Sequence, residues 1–180
     1  MALYAAFLRG MNVGGHRLTN FELCAHFTAM GFAEVASFRA SGNVIFAGKD
    51  QPDETVATRI EQGLEEALGY AVPTFIRAAG EVREIADTEP FERAHVEAST
   101  GKLQVALLGA RPSAADRRAV LALESDADRL VFGERELYWL PSGGMSDSDL
   151  DLKAIERLLG AITIRTKGTI EQIAGKHFAT

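Results

Sequence analysis

A single cysteine, Cys24, stands in a chain of 180 residues, which excludes an internal disulfide framework and points to a reducing cytoplasm. Long apolar runs are missing as well. No stretch approaches the roughly 18 residues that a bilayer span needs, so no membrane partner is expected. Met1 to Leu8 is apolar, but it carries no basic region and meets Arg9 too soon to read as a signal peptide. The four histidines, His16, His26, His95 and His177, are scattered, with no cysteine cluster beside them. Neither a metal site nor a cofactor is therefore expected. Positive charge is in deficit too: the formal net charge of −6 disfavours nonspecific attraction to a polyanion.

What the chain does have is a core. Hydrophobic residues make up 47% of it and the mean hydropathy is −0.01, values of a soluble globular protein. Its charge is unevenly spread. Residues 1–49 hold Arg9, Arg17, Arg39 and Lys49 against Glu22 and Glu34, whereas residues 51–100 hold four arginines against eleven acids. Solvated helix faces account for most of that acid.

Periodicity divides the chain into elements. Leu3 to Leu8 reads as a buried strand, followed by a loop from Gly10 to Arg17. Thr19 or Asn20 can cap a helix running to Met30, with Leu23, Cys24, Phe27 and Met30 on one stripe and Gly31 as its stop. Cys24 thus reads as an inert buried thiol. Val35–Ala40 and Asn43–Ala47 form a hairpin around Ser41-Gly42. Pro52 opens a second helix with Val56, Ile60, Leu64 and Leu68 on one face, ending at Gly69. A strand from Val72 to Arg77 and a short helix from Glu81 to Ala86 complete a β-α-β-β-α-β order, the ferredoxin-like unit.

The same order recurs about a hundred residues later. Strands at 103–108, 130–132, 137–140 and 162–165 alternate with helices at 112–123, 149–159 and 169–177. The expected fold is α+β: two consecutive ferredoxin-like halves, residues 1–90 and 101–180, joined by 91–100 and packed into one compact body. Both faces of the first and fifth strands are apolar, so each sheet needs cover on two sides, from the other half or from a second copy in a homodimer.

In a ferredoxin-like unit the loop after strand one and the hairpin between strands two and three share one end of the sheet. That end gathers Arg9, Gly10, Asn12, Gly14, Gly15, His16 and Arg17 with Arg39, Ser41, Gly42 and Asn43. Glycine amides, guanidinium groups and a following helix N-terminus suit a phosphate or carboxylate. Turn chemistry alone explains any one of these residues; their convergence is what points to a ligand. Gly10 and Gly15 have the spacing of a P-loop, but His16 and Arg17 stand where Lys and Ser or Thr are required. An RNA-recognition surface is disfavoured, because Tyr4 and Phe46 are the only plausible stacking aromatics of the first half.

Two stretches, Leu8-Arg9-Gly10-Met11-Asn12-Val13-Gly14-Gly15 and Ser41-Gly42-Asn43-Val44-Ile45-Phe46, resemble the signature segments of the domain-of-unknown-function 1697 family. The resemblance implies two ferredoxin-like halves and brings no reaction or ligand with it. A third family stretch, a Thr-x-Arg-Asn-Trp-Asn-Thr-like run, is matched in part by Thr163-Ile164-Arg165-Thr166-Lys167-Gly168-Thr169. Arg165 is the position this resemblance adds to the candidate site. The expected function is binding of a small anionic ligand, possibly phosphorylated, by Arg9, Gly10, Asn12, Gly14, Gly15, Ser41, Gly42, Asn43 and Arg165. The alternative is an interaction or self-association module without catalysis. No general base beyond His16 is evident, so enzymatic activity is left open.

Overall fold

The computed structural model describes residues 1–12, 14–39 and 42–179. Strand β1 (Ala2–Leu8) is followed by helix α1 (Asn20–Ala29), strands β2 (Ala33–Ser37) and β3 (Asn43–Gly48), helix α2 (Asp53–Leu68), strand β4 (Thr74–Ala78) and helix α3 (Ala79–Asp87). Helix α4 (Arg93–Ala98) leads to β5 (Gln104–Leu108), α5 (Ala114–Leu121), β6 (Asp128–Phe132), β7 (Glu136–Pro141), α6 (Leu152–Leu159), β8 (Ile162–Thr166) and α7 (Lys167–His177). The strands form two four-stranded antiparallel sheets, ordered β2-β3-β1-β4 and β6-β7-β5-β8. Two similar βαββαβ halves therefore follow one another in sequence, as the periodicity requires.

Local chemistry explains the element ends. Thr19 caps α1 in a capping box with Glu22, and Gly69 ends α2 in the left-handed conformation. The strand expected at Val35–Ala40 begins two residues earlier and ends at Ser37. Glu34 and Arg39 both have positive φ, and the pairing of β2 with β3 shifts register between Ala33 and Ala36, as a bulge does. Helix α4 lies within the stretch read as a connection. It is only six residues long and no side chain caps it, so its periodicity is too short to register.

The residues group into two units, Met1–Glu84 with Ile173–Thr180 and Ile85–Gln172. In the first, α1 and α2 cover one face of the sheet, with Tyr4, Ala6, Leu8, Leu23, Phe27, Phe46, Ile60, Leu64 and Ile76 in one core. Phe46 stands at its centre, its ring 4.6 Å from that of Phe32, 5.4 Å from Phe27 and 5.5 Å from Tyr4. The other sheet face, including Ala5, Phe7, Ile45 and Phe75, is buried too. The second unit gathers Ala106, Leu108, Val120, Leu137, Trp139 and Ile155. There the indole N–H of Trp139 and the Ser148 hydroxyl both donate to Asp128 Oδ1, at 2.8 and 2.6 Å. Cys24 is half-buried rather than enclosed. Among the described residues no helix is long and apolar enough to cross a membrane.

Phe46 is 0% exposed, so Phe46→Ala removes a large ring from a closed core. Urea denaturation is expected to show a loss of about 3–5 kcal/mol. A loss below about 1 kcal/mol would mean that the three-ring contact does not hold the first unit together.

Candidate functional site

At the end of β1 the chain is held on both sides. The Leu8 amide donates to the Gly42 carbonyl at 2.8 Å and the Arg9 amide to the Pro73 carbonyl at 3.0 Å. Gly42 has φ +70, and a Cβ there would lie 3.2 Å from Leu8 Cβ and 3.3 Å from Leu8 O. Both the backbone angle and the close approach demand glycine. Asn43, 2% exposed, closes the hairpin: its Nδ2 donates to Phe38 O at 3.0 Å, and the Phe38 amide donates to Asn43 O at 2.9 Å. Arg39, with φ +58, turns its carbonyl towards α1, where Asn20 Nδ2 donates to it at 2.9 Å. The loop and the hairpin thus share one end of the sheet.

The loop from Arg9 to Thr19 has a floor of its own. Tyr70, between α2 and β4, donates its hydroxyl to Met11 O at 3.1 Å. The ring of His16 stacks on that of Tyr70, with centroids 4.1 Å apart and planes at 28°. Asn12 Oδ1 accepts the Leu18 amide at 2.8 Å, so its oxygen shapes the loop. Gly14 and Gly15 adopt φ +63 and +83 in succession. Among the described residues, the main-chain N–H groups from Gly14 to Arg17 meet no protein acceptor. A cleft of about 480 Å³ is lined by Asn12, Gly15, His16, Arg17, Leu18 and Thr19.

The two halves provide an internal comparison. The amide of Leu108 donates to Arg135 O at 2.9 Å, at the register that Leu8 and Gly42 occupy in the first sheet. Yet only residues 109–113 join β5 to α5, whereas residues 9–19 join β1 to α1. The closing bond of the second hairpin runs from Gly133 to Glu136, and that of the first from Phe38 to Asn43. Both segments at this end are longer in the first unit than the same topology needs in the second.

A basic cluster that sequence patterns do not reveal lies on the hairpin side. The ring of Phe38 has the Arg39 guanidinium 5.6 Å from its centroid and Lys176 Nζ at 5.9 Å. His177 meets it edge-on at 6.2 Å. Nε2 of His177 is buried without a partner among the described residues. Burial, and then the charge of Lys176, push the proton affinity of its imidazole below the ordinary histidine range. These contacts join β2 to the last turn of α7, a separation in sequence that no local pattern spans.

Arg165 lies in β8, in the second unit. Its Nη1 donates to Thr163 Oγ1 at 2.8 Å and Ile164 O at 2.9 Å, and burial pushes its pKa down to about 10, leaving it charged at neutral pH. Arg77 holds the same register position in the first sheet: it faces Ala5 as Arg165 faces Val105, donates to Ile76 O at 2.8 Å and is 0% exposed. The repeated dipeptides Ile76-Arg77 and Ile164-Arg165 are the sequence signal for this pair. Ser41 and Val13 lie outside the described residues. Among the described residues no three His, Cys, Asp or Glu side chains converge as metal ligands.

The N-terminus of α1 is already met by an acid of the chain. Glu22 Oε2 accepts the Thr19 amide at 2.8 Å and its hydroxyl at 2.9 Å. Those bonds hold its carboxyl below the ordinary 4.5. A carboxyl with a lowered folded pKa contributes fully above its unfolded value, and the contribution disappears as pH falls through the folded one. Protection of the Thr19 amide from hydrogen exchange, corrected for the intrinsic rate, is expected to drop as pH is lowered past about 4.5. Glu22→Gln should remove that dependence. Protection unchanged down to about pH 2 would show that the carboxylate is not part of the cap.

Among curated proteins none matches the chain. A solved structure of a conserved bacterial protein from Streptococcus pneumoniae is similar to it, with a TM-score of 0.70, 21% identity and 97% of each chain covered. At that identity the likeness speaks for the fold alone. The model of the family described as protein of unknown function (DUF1697) matches residues 1–138, a span that includes the loop, the hairpin and both of their signature stretches and stops short of Arg165. The chain belongs to the DUF1697 family.

Proposed function

We propose that the protein binds a small anionic ligand, bearing a phosphate or carboxylate, in the cleft of the β1–α1 loop. One observation carries this reading: the N–H groups from Gly14 to Arg17 lack protein acceptors among the described residues, and the His16 and Arg17 side chains line the same cleft. Amide donors without protein acceptors and an arginine around one concave surface suit anion recognition. The ligand's anion meets the loop upstream of α1, because Glu22 already occupies the Thr19 donors at the helix end. In this reading Arg9, just after β1, and Arg39, in the hairpin, add positive charge to the same end of the sheet, while Gly42 and Asn43 hold the hairpin in place. The reading is one of binding, with no reaction assigned.

Ribose 5-phosphate serves as the probe, with inorganic phosphate and citrate beside it. At about one hundred times its dissociation constant a ligand stabilises the fold by about 2.7 kcal/mol, a rise in melting temperature of roughly 5–10 °C for a chain of this size. Arg17 is exposed, so Arg17→Ala is expected to leave the unliganded melting temperature within about 2 °C and to weaken binding about tenfold or more. If none of the anions shifts the melting curve, the cleft is not an anion site.

A further inference from the structure

We propose that the ligand of this cleft carries a flat aromatic ring beside its anion, and that the ring stacks on the outer face of His16. A nucleoside monophosphate is the simplest molecule of that class. The proposal rests on the anion-binding reading above and adds what the rest of the ligand is.

Size comes first. A cleft of about 480 Å³ is far larger than a bare phosphate requires and falls within the roughly 300–1,000 Å³ of pockets that hold organic ligands. The lining comes next. His16 packs one ring face on Tyr70 at 4.1 Å, and Tyr70 is itself anchored through its hydroxyl to Met11 O. The imidazole is thereby a plate fixed before any ligand arrives, so stacking on it costs little ordering. His16 is nevertheless exposed and lines the cleft, so Tyr70 covers one face and leaves the other to the cleft. Gly15, the preceding residue, has nothing within 4 Å of where a Cβ would stand, so no side chain crowds the plate there.

A second aromatic, Phe21, lies near in the chain, at the start of α1. Phe21 is 85% exposed, while Leu23 and Phe27 of the same helix are fully buried. It follows Thr19, a lining residue, by two positions. The helix does not need Phe21 for its core, and its exposed phenyl ring is apolar area left over at the start of α1. Arg17, next in the chain to His16, supplies the charge for the anion. A plate and an arginine on neighbouring residues of one cleft fit a ring joined to a phosphate, whereas a sugar phosphate would leave the plate unused. A polynucleotide would need basic stripes beyond the cleft, and the chain's net charge is −6.

Titration calorimetry with adenosine monophosphate, ribose 5-phosphate and adenosine tests this on the full chain. Adenosine monophosphate is expected to bind about tenfold or more tighter than ribose 5-phosphate. His16→Ala should abolish that preference, so that the two phosphates bind alike, and His16→Phe, which restores a ring, should keep it. Equal affinities for the two phosphates would overturn the stacking proposal and leave the anion site standing. Adenosine binding as tightly as its monophosphate would keep the ring and overturn the anion site. Absence of binding by all three overturns both. A single-stranded oligoadenylate bound far more tightly than the mononucleotide would replace the small ligand by a nucleic acid.

Discussion

The hydrogen bond from the Leu8 amide to the Gly42 carbonyl is the joint on which the end of the first sheet depends. Leu8 is the last residue of β1, so the chain that leaves the strand starts from a fixed point beside the hairpin. The bond forms because position 42 carries no side chain; any Cβ would press on Leu8. On the opposite side the Arg9 amide reaches Pro73, and Tyr70, three residues before that proline, holds Met11 and His16. The strand end, the α2–β4 connection and the hairpin therefore fix the loop's beginning and its floor. The Thr19–Glu22 capping box fixes its end. Between those points lie Gly14 and Gly15 at positive φ, and among the described residues the amides from Gly14 to Arg17 are without protein partners.

Duplication separates what the fold needs from what the site adds. The equivalent of the Leu8–Gly42 bond, from Leu108 to Arg135, is made with an arginine at the hairpin position, and Arg135 is not among the residues of positive φ. A β-to-α connection over residues 109–113 joins strand to helix in the second unit, so the longer 9–19 segment of the first exceeds what that join requires. Extra loop residues carry an ordering cost in the folded state. Here Tyr70, Asn12 and the capping box offset it, which gives the first unit a shaped cleft where the second has a turn.

Much of this was legible in the chain because it is local. Thr19 before an apolar stripe, Gly69 after one, and the strand after Gly42 place α1, α2 and β3 within a residue or two. From the β-α-β-β-α-β order alone follows the meeting of the loop and the hairpin at one end of the sheet. What escaped is of two kinds. Short or irregular backbone leaves too little period to detect, as in α4 and in the bulge that moves β2 at Glu34. Long-range packing leaves no local trace at all: the last turn of α7 brings Lys176 and His177 to Phe38. Likewise, a buried arginine in an apolar strand, Arg77, looks like an exposed one until its register against Ala5 is known. Asn12 and Asn43 were legible as residues of the right place, while the acceptors and donors that occupy them were not.

On the anion-binding reading proposed above, a net charge of −6 is no obstacle, because charge acts locally. At physiological ionic strength fields between exposed groups fade over about 8 Å, so the acids of residues 51–100 count at the cleft only where they approach it. Glu22 does approach, and its carboxylate is bound to the N–H and hydroxyl of Thr19, which spreads its charge over the helix end. The loop amides and Arg17 lie on the other side of Thr19 in the chain. An arriving anion thus meets donors whose own acid is already engaged. Selectivity on that reading would rest on shape: a bare ion fills little of the cleft, and a larger ligand gains most where a rigid surface such as the His16–Tyr70 pair is already in place. In the proposal, charge brings the ligand's anionic end to the loop, and the plate beside it decides which anions stay.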